Sequence, residues 1–154
     1  IVWRHRKLGG LLIQLKLEAG GAASVVVGLG LNVVLPADAR ERLATSGAAH
    51  VADLREAFSG DPPGRNALVG RLAGGLCEGL DRFGREGFAP FAHRFAELDS
   101  LAGAQVCVSQ ATGSVEGRAV GADRDGALRV EVGARVERFL AGDVTLRSAT
   151  GAPA

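Results

Sequence analysis

Several residue types are missing or rare in this sequence, and each absence excludes a class of protein or a kind of site. Methionine and tyrosine do not occur among the 154 residues, and tryptophan occurs once. The absence of methionine predicts that these residues are a piece of a longer protein. The two cysteines, Cys77 and Cys107, are too few and too far apart for a zinc site or a disulfide framework, so we expect free thiols in a reducing compartment.

Long apolar runs and an excess of charge are also absent. No run reaches the roughly 18 apolar residues of a membrane span, and no signal-peptide pattern occurs, so we expect a cytoplasmic protein that binds no membrane. The charges of the 18 basic and 17 acidic residues nearly cancel, so the sequence has no overall positive charge that would attract nucleic acid. The hydrophobic content of 47% is enough for a core, in one domain or in a medium domain with a small appendage.

Glycine is abundant, and its placement is most unusual in the first 34 residues. Apolar runs at 7–17 and 24–34 are separated by a Gly-rich break, a pattern typical of a β-hairpin with a loop longer than two residues. A turn centred in that break puts Gly10 close to Gly30 and Lys7 close to Asn32. The open end of the hairpin therefore gathers one lysine, one asparagine and several glycines.

Glycines on facing strands indicate that something approaches the backbone closely, because glycine weakens a strand and packs no side chain. Gly10, Gly28 and Gly30 leave room either for a ligand or for a bulge or crossing strand. Lys7 favours an anionic ligand, although a solvated lysine at a strand end is the common alternative.

Two segments of this hairpin resemble the bacterial biotin protein ligases. The sequence from Arg6 to Gln14, RKLGGLLIQ, is similar to the family's Lys-x-x-Gly-[Ile/Leu]-Leu-x-Glu segment. The sequence from Val26 to Val33, VVGLGLNV, is similar to its Gly-x-Gly-[Ile/Leu]-Asn segment. The family's acidic residue is replaced by Gln14, and its Gly-Arg-Gly-Arg-x-Gly segment has no counterpart among these residues.

The resemblance implies ATP-dependent activation of biotin to biotinyl-5'-adenylate and transfer to a lysine of a biotin carboxyl carrier protein domain. It implies a catalytic Lys7 that bridges the biotin carboxylate and the α-phosphate. Asn32 would contact phosphate or the Mg²⁺ that accompanies ATP, and Arg147 would point toward the nucleotide phosphates. The remaining ligand contacts implied are Gly10, Leu11 and Leu12 at the biotin ring, and Gly28 and Gly30 along the strand backbone.

Helices and short strands follow the hairpin in the order that the same family implies. Apolar residues at helical spacing predict an amphipathic helix from 65 to 86 that packs on the sheet. From residue 103 the pattern changes to four- to eight-residue strands with tight turns, which predicts a small antiparallel barrel. We therefore expect an α+β fold. The resemblance implies that residues 1–100 form a mixed or antiparallel sheet with packed helices, like part of a class II aminoacyl-tRNA synthetase or biotin ligase domain. It also implies an SH3-like β-barrel over 101–149, followed by a disordered tail over 150–154.

Two other functions stay open. One is a non-catalytic binding or assembly module that keeps the ligase fold, favoured by Gln14 and the missing glycine-arginine segment. The other is a lipoate-ligase-like acyltransferase, whose lysine motif has different surroundings. A homodimer is also left open.

Overall fold

The computed structural model describes residues 1–17, 23–45, 50–58, 60–111, 113–140 and 142–146. The chain divides into two compact units, Ile1–Val69 and Gly70–Ala154. Each has its own sheet structure, so the two are described separately.

The first unit contains two hairpins. Strands β1 (Val2–Trp3) and β2 (Arg6–Lys7) pair through a two-residue turn. Strands β3 (Gly9–Leu17) and β4 (Ala23–Leu31) pair over nine positions, from Gly9 opposite Leu31 to Leu17 opposite Ala23. Gly10 lies opposite Gly30, so the predicted register is confirmed.

Two short helices follow β4. Helix α1 (Ala37–Thr45) and helix α2 (Leu54–Ala57) lie on either side of an extended segment at 50–52. The apolar spacing from 50 to 58 predicts one helix, but its first residues are extended because Val51 forms a parallel bridge with Lys7. A small core of Leu8, Ala52 and Leu54 joins the segments, with Trp3, Leu31, Val33 and Leu68 packed against it.

The long hairpin is apolar and exposed. Alternation puts the side chains of Leu11, Ile13 and Leu15 on one face, and they are 58%, 66% and 65% exposed. Strands β3 and β4 form a sheet of only two strands in the described residues. Since an isolated two-stranded hairpin is at best marginally stable in water, this face is suited to further packing.

Helix α3 (Arg65–Glu86) has the predicted length and apolar stripe, but none of its residues is buried. Leu72, Leu76 and Leu80 are 39%, 40% and 46% exposed. The stripe is therefore not buried core in the described residues, and its packing on the sheet stays a prediction. No helix in the described part of the chain is long and apolar enough to cross a membrane.

The second unit continues from α3 through a 3₁₀ turn (Ala89–Phe91) and helix α4 (Ala92–Leu98) into an antiparallel sheet. The strands are β5 (Gln105–Gln110), β6 (Gly113–Ala122), β7 (Leu128–Val132), β8 (Arg135–Phe139) and β9 (Asp143–Leu146). Their order is β8-β7-β6-β5-β9, and the buried core is Val106, Val108, Ala119, Val130 and Phe139.

This sheet is open in the described residues, and the predicted closed SH3-like barrel is not present there. Closure requires a ladder between the two edge strands β8 and β9, and these strands instead each pair with one neighbour. The sequence Asp123–Gly126 is typical of a hairpin turn, and the structure confirms it: Asp123 Oδ1 accepts hydrogen bonds from the amides of Asp125 (2.8 Å) and Ala127 (3.1 Å).

Candidate functional site

Lys7 is held at its main chain and exposed at its side chain. Its amide donates to the carbonyl of His50 at 2.7 Å, and its carbonyl accepts from the amide of Ala52 at 2.9 Å. It also forms the isolated parallel bridge with Val51 and pairs with Val2 in the short hairpin. The backbone is thus fixed from two sides, while Lys7 as a residue is exposed to solvent.

Asn32 lies directly after β4 and connects the same segments. Its Nδ2 donates to the carbonyl of Ala52 at 3.0 Å and to that of Lys7 at 3.3 Å. Its amide donates to the carbonyl of Leu8 at 2.9 Å. The structure therefore brings Asn32 to Lys7 as predicted, but through the lysine main chain, and only Oδ1 of its side-chain amide is left for a ligand.

The glycines predicted at the site differ in their surroundings. A Cβ on Gly10 or Gly30 would meet no atom within 4 Å, so these two positions border open space. A Cβ on Gly28 would be in ordinary contact with Leu12, 3.7 Å from its carbonyl oxygen. A crossing strand is therefore not the reason for Gly10 and Gly30 in the described structure. The glycine that packing does require is Gly9, where a Cβ would lie 2.4 Å from the Gly30 oxygen.

Strand alternation separates one of the predicted biotin contacts from the others. Gly10, Leu12 and their partners Gly30 and Gly28 share one face of the hairpin. Leu11 points to the opposite face. The side chains of Leu11 and Leu12 therefore cannot line the same side of one pocket in this strand.

A network of four charged side chains adjoins Lys7, and sequence reasoning missed it. Arg6 donates to Glu56, and Arg40 on α1 contacts both Glu56 and Asp53, each at 2.6 Å. The signal for Asp53 was its place three residues before Glu56 at a helix start, a pattern typical of an N-cap, and its side chain does accept from the Glu56 amide.

The electrostatics of this network favour ionised carboxylates. Burial alone raises the pKa of Asp53, but the amides of Leu35 and Glu56 and the charge of Arg40 outweigh it, so the pKa lies below its ordinary value. The hydrogen bond from Arg6 lowers the pKa of Glu56, and Arg40 adds to this effect.

The turn before Lys7 adds further positive charge. Arg4 and His5 both have positive φ, +48° and +61°. The guanidinium carbons of Arg4 and Arg6 lie 4.6 Å and 5.3 Å from the centre of the Trp3 ring. These distances are typical of cation–π contacts, which hold both guanidinium groups near the hairpin.

Two further predictions concern Arg147 and a Mg²⁺ ligand. Arg147 lies outside the described residues. The described residues contain no group of three or more His, Cys, Asp and Glu side chains that could hold a metal ion, and the contact of Asn32 with Mg²⁺ stays a prediction.

Comparison with known proteins gives consistent matches. Residues 103–147 match the family described as the biotin protein ligase C terminal domain. The chain is 32% identical over 146 residues to the bifunctional ligase/repressor BirA of Escherichia coli K12, and 31% identical over 144 residues to that of Salmonella typhimurium LT2. These alignments cover 95% and 94% of this chain but 44% and 43% of the relatives. The chain thus spans less than half the length of the curated relatives it matches.

Solved structures show the same fold. The apo biotin protein ligase of Aquifex aeolicus matches with a TM-score of 0.71 at 19% identity, over 96% of this chain and 61% of that chain. The same enzyme in complex with biotin and ATP matches with a TM-score of 0.71 at 19% identity, over 96% of this chain and 58% of that chain. These matches support a relationship of this chain to the C-terminal region of the bacterial biotin protein ligases.

Proposed function

We propose that this chain supplies part of the site at which a biotin protein ligase activates biotin with ATP. The observation that carries the proposal is the placement of Lys7: a fixed main chain, an exposed ammonium group, and open glycine positions on the adjoining hairpin. The similarity to BirA and to a ligase that binds biotin and ATP supports it.

The proposed chemistry explains the need for a lysine. An oxygen of the biotin carboxylate attacks the α-phosphorus of ATP, a new O–P bond forms, and pyrophosphate leaves with the electrons of the broken P–O bond. Two anions must approach each other, and negative charge accumulates at phosphorus. Lys7 would lower this barrier by contacting both anions. The amine of a carrier-domain lysine then attacks the biotinyl carbonyl and releases AMP.

The open strand backbone explains how the ligand would be held. Gly10 and Gly30 leave the hairpin surface free of side chains, so that biotin or adenylate could lie against it. Leu12 would supply the apolar contact on that face, and Asn32 Oδ1 a polar contact. Mg²⁺ would arrive with the ATP phosphates, and Asn32 would contact either a phosphate or this Mg²⁺.

The remaining parts of the account are also proposals. Residues 1–100 would form the catalytic portion and 101–149 the C-terminal domain, which the family match over 103–147 supports. Arg147 would reach the nucleotide phosphates. The partner would be a biotin carboxyl carrier protein domain in the cytoplasm.

Isothermal titration of the protein, as its gene encodes it, with biotin and ATP tests this function. We expect biotin to bind and to increase the affinity for ATP, with biotinyl-5'-adenylate detected by mass spectrometry when both are present. Binding of neither small molecule would contradict the proposal and favour a non-catalytic module.

A further inference from the structure

A buried carboxylate lies beside the segment that holds Lys7, and the proposed chemistry does not use it. The side chain of Asp53 is nearly inaccessible, in a residue that is 1% exposed. Its Oδ2 accepts from the Leu35 amide at 2.7 Å and from Arg40 Nη2 at 2.6 Å, and its Oδ1 accepts from the Glu56 amide at 3.0 Å. Moving this carboxylate would leave donors unpaired, so its position is tightly fixed.

The peptide next to Asp53 is the one that contacts Lys7. The Ala52 amide donates to the Lys7 carbonyl at 2.9 Å, and the Ala52 carbonyl accepts from Asn32 Nδ2 at 3.0 Å. Ala52 itself is fully buried. Only one residue and one hydrogen bond therefore separate the fixed carboxylate from the main chain of Lys7.

No regular ladder fixes this contact in the described residues. Lys7 and Val51 form an isolated bridge, without a second paired residue on either side. The position of the 50–52 segment then depends on what anchors its ends. Asp53 is such an anchor, because it ties the segment both to Leu35 after β4 and to Arg40 on α1.

We propose that Asp53 is a positioning residue for Lys7. By holding the Ala52 peptide, it sets where the Lys7 main chain lies and hence where the ammonium group can reach. The effect on catalysis rests on the proposed function, since the placement of Lys7 changes a rate only if Lys7 acts on biotin and ATP.

The test is Asp53→Asn, which keeps the size of the side chain but replaces one acceptor oxygen by an NH₂ group and removes the negative charge. Asp123→Asn is the matched control, because Asp123 also accepts from two amides and from an arginine, in the C-terminal sheet. Asp53→Ser is the second variant in case Asp53→Asn does not fold. Serine is a good N-cap and can still accept from the Glu56 amide, but its side chain is too short to keep the contact with Arg40 as well.

Two readouts are compared in the protein as its gene encodes it. We expect amide hydrogen exchange at Lys7 and Ala52 to become at least about tenfold faster in the Asp53 variant and to stay within about twofold in the control. We expect kcat for biotin-dependent pyrophosphate release to fall at least about tenfold while KM for biotin changes less than about threefold, because misplacement weakens contacts made in the transition state.

Exchange at wild-type rates in the Asp53 variant would overturn the proposal, as would an unchanged kcat in an active protein. If the wild-type protein releases no pyrophosphate, the proposed function fails. The exchange rates of Lys7 and Ala52 then decide alone whether Asp53 controls the Lys7 main chain.

Discussion

At the scale of single residues, Asn32 contributes to structure at the place where a ligand contact was predicted. A folded protein loses stability when a buried or half-buried hydrogen-bond acceptor is left without its donor. We expect Asn32→Ala to lower the free energy of unfolding by about 1–3 kcal/mol, because the Ala52 and Lys7 carbonyls lose a common donor. Urea denaturation measures this change.

Asn66→Ala is the control for that measurement. Asn66 is the other asparagine of the sequence and is exposed on α3, so its replacement should change the free energy of unfolding by less than about 0.5 kcal/mol. Equal stability of the Asn32 and Asn66 variants would show that the Asn32 amide does not hold these segments together.

The turn at Arg4 and His5 has residues that suit its conformation poorly. Positive φ at both central positions is typical of a type I′ turn, which favours Asn-Gly. Replacing Arg4-His5 by Asn-Gly should raise the free energy of unfolding by about 1 kcal/mol. The relief of backbone strain stabilises the variant by more than the loss of the contact between Arg4 and Trp3 destabilises it. A lower thermal midpoint in the variant would contradict this assignment of strain.

At the scale of elements, the charged network of Arg6, Arg40, Asp53 and Glu56 joins β2, α1 and α2. The pKa values of both carboxyls are lowered from ordinary values of 3.8 and 4.5. A carboxyl with a lowered folded-state pKa stabilises the protein above its unfolded-state pKa, and this stability is lost as the pH falls toward the folded-state pKa. The free energy of unfolding should therefore decrease steadily below about pH 4.5.

Arg40→Met tests the origin of this pH dependence. Removing the guanidinium brings the carboxyl pKa values closer to their ordinary range, so the loss of stability below about pH 4.5 should become shallower. Arg42→Met is the matched control, because Arg42 pairs only with exposed Asp38 on the same helix among the described residues. Identical slopes for the two variants in denaturation curves from pH 7 to acid would show that Arg40 does not lower these pKa values.

The elements that could be predicted are those whose pattern is local. Alternation and turn residues predict strands at 105–110, 114–121, 127–132 and 136–140. Strand β5 has the predicted bounds, and β6, β7 and β8 differ from theirs by at most one residue at each end. The hairpin register followed from the position of the Gly-rich break. The role of Asp53 could not be predicted, because its partners Leu35 and Arg40 are distant in sequence. The exposure of the α3 stripe could not be predicted either, since periodicity identifies an apolar face but not whether anything covers it.

At the scale of the whole molecule, the chain is similar to the biotin protein ligases and contains part of the proposed site. The relationship rests on matches that span most of this chain, while the chain spans less than half of each relative. The exposed apolar face of the long hairpin fits a sheet that packs against further residues. The activity of the whole ligase therefore remains a proposal, and Lys7 is the residue on which it depends most.

The sequence itself offers a control for Lys7. Lys7 and Lys16 are the only two lysines among the 154 residues. Lys7 lies on β2 of the short hairpin, and Lys16 lies on β3 of the long hairpin, opposite Ser24. Replacing either lysine by alanine removes the same charge from the first unit. The difference between the two variants therefore isolates the effect of position.

The most direct measurement is biotin-dependent pyrophosphate release by the Lys7→Ala and Lys16→Ala variants of the protein as its gene encodes it. We expect Lys7→Ala to lower the rate at least about a hundredfold, because a charge contact to a developing anion is lost, with little change in stability. Lys16→Ala should keep the rate within about twofold of wild type. Pyrophosphate release by the Lys7→Ala variant at the rate of the Lys16→Ala variant would contradict the central claim.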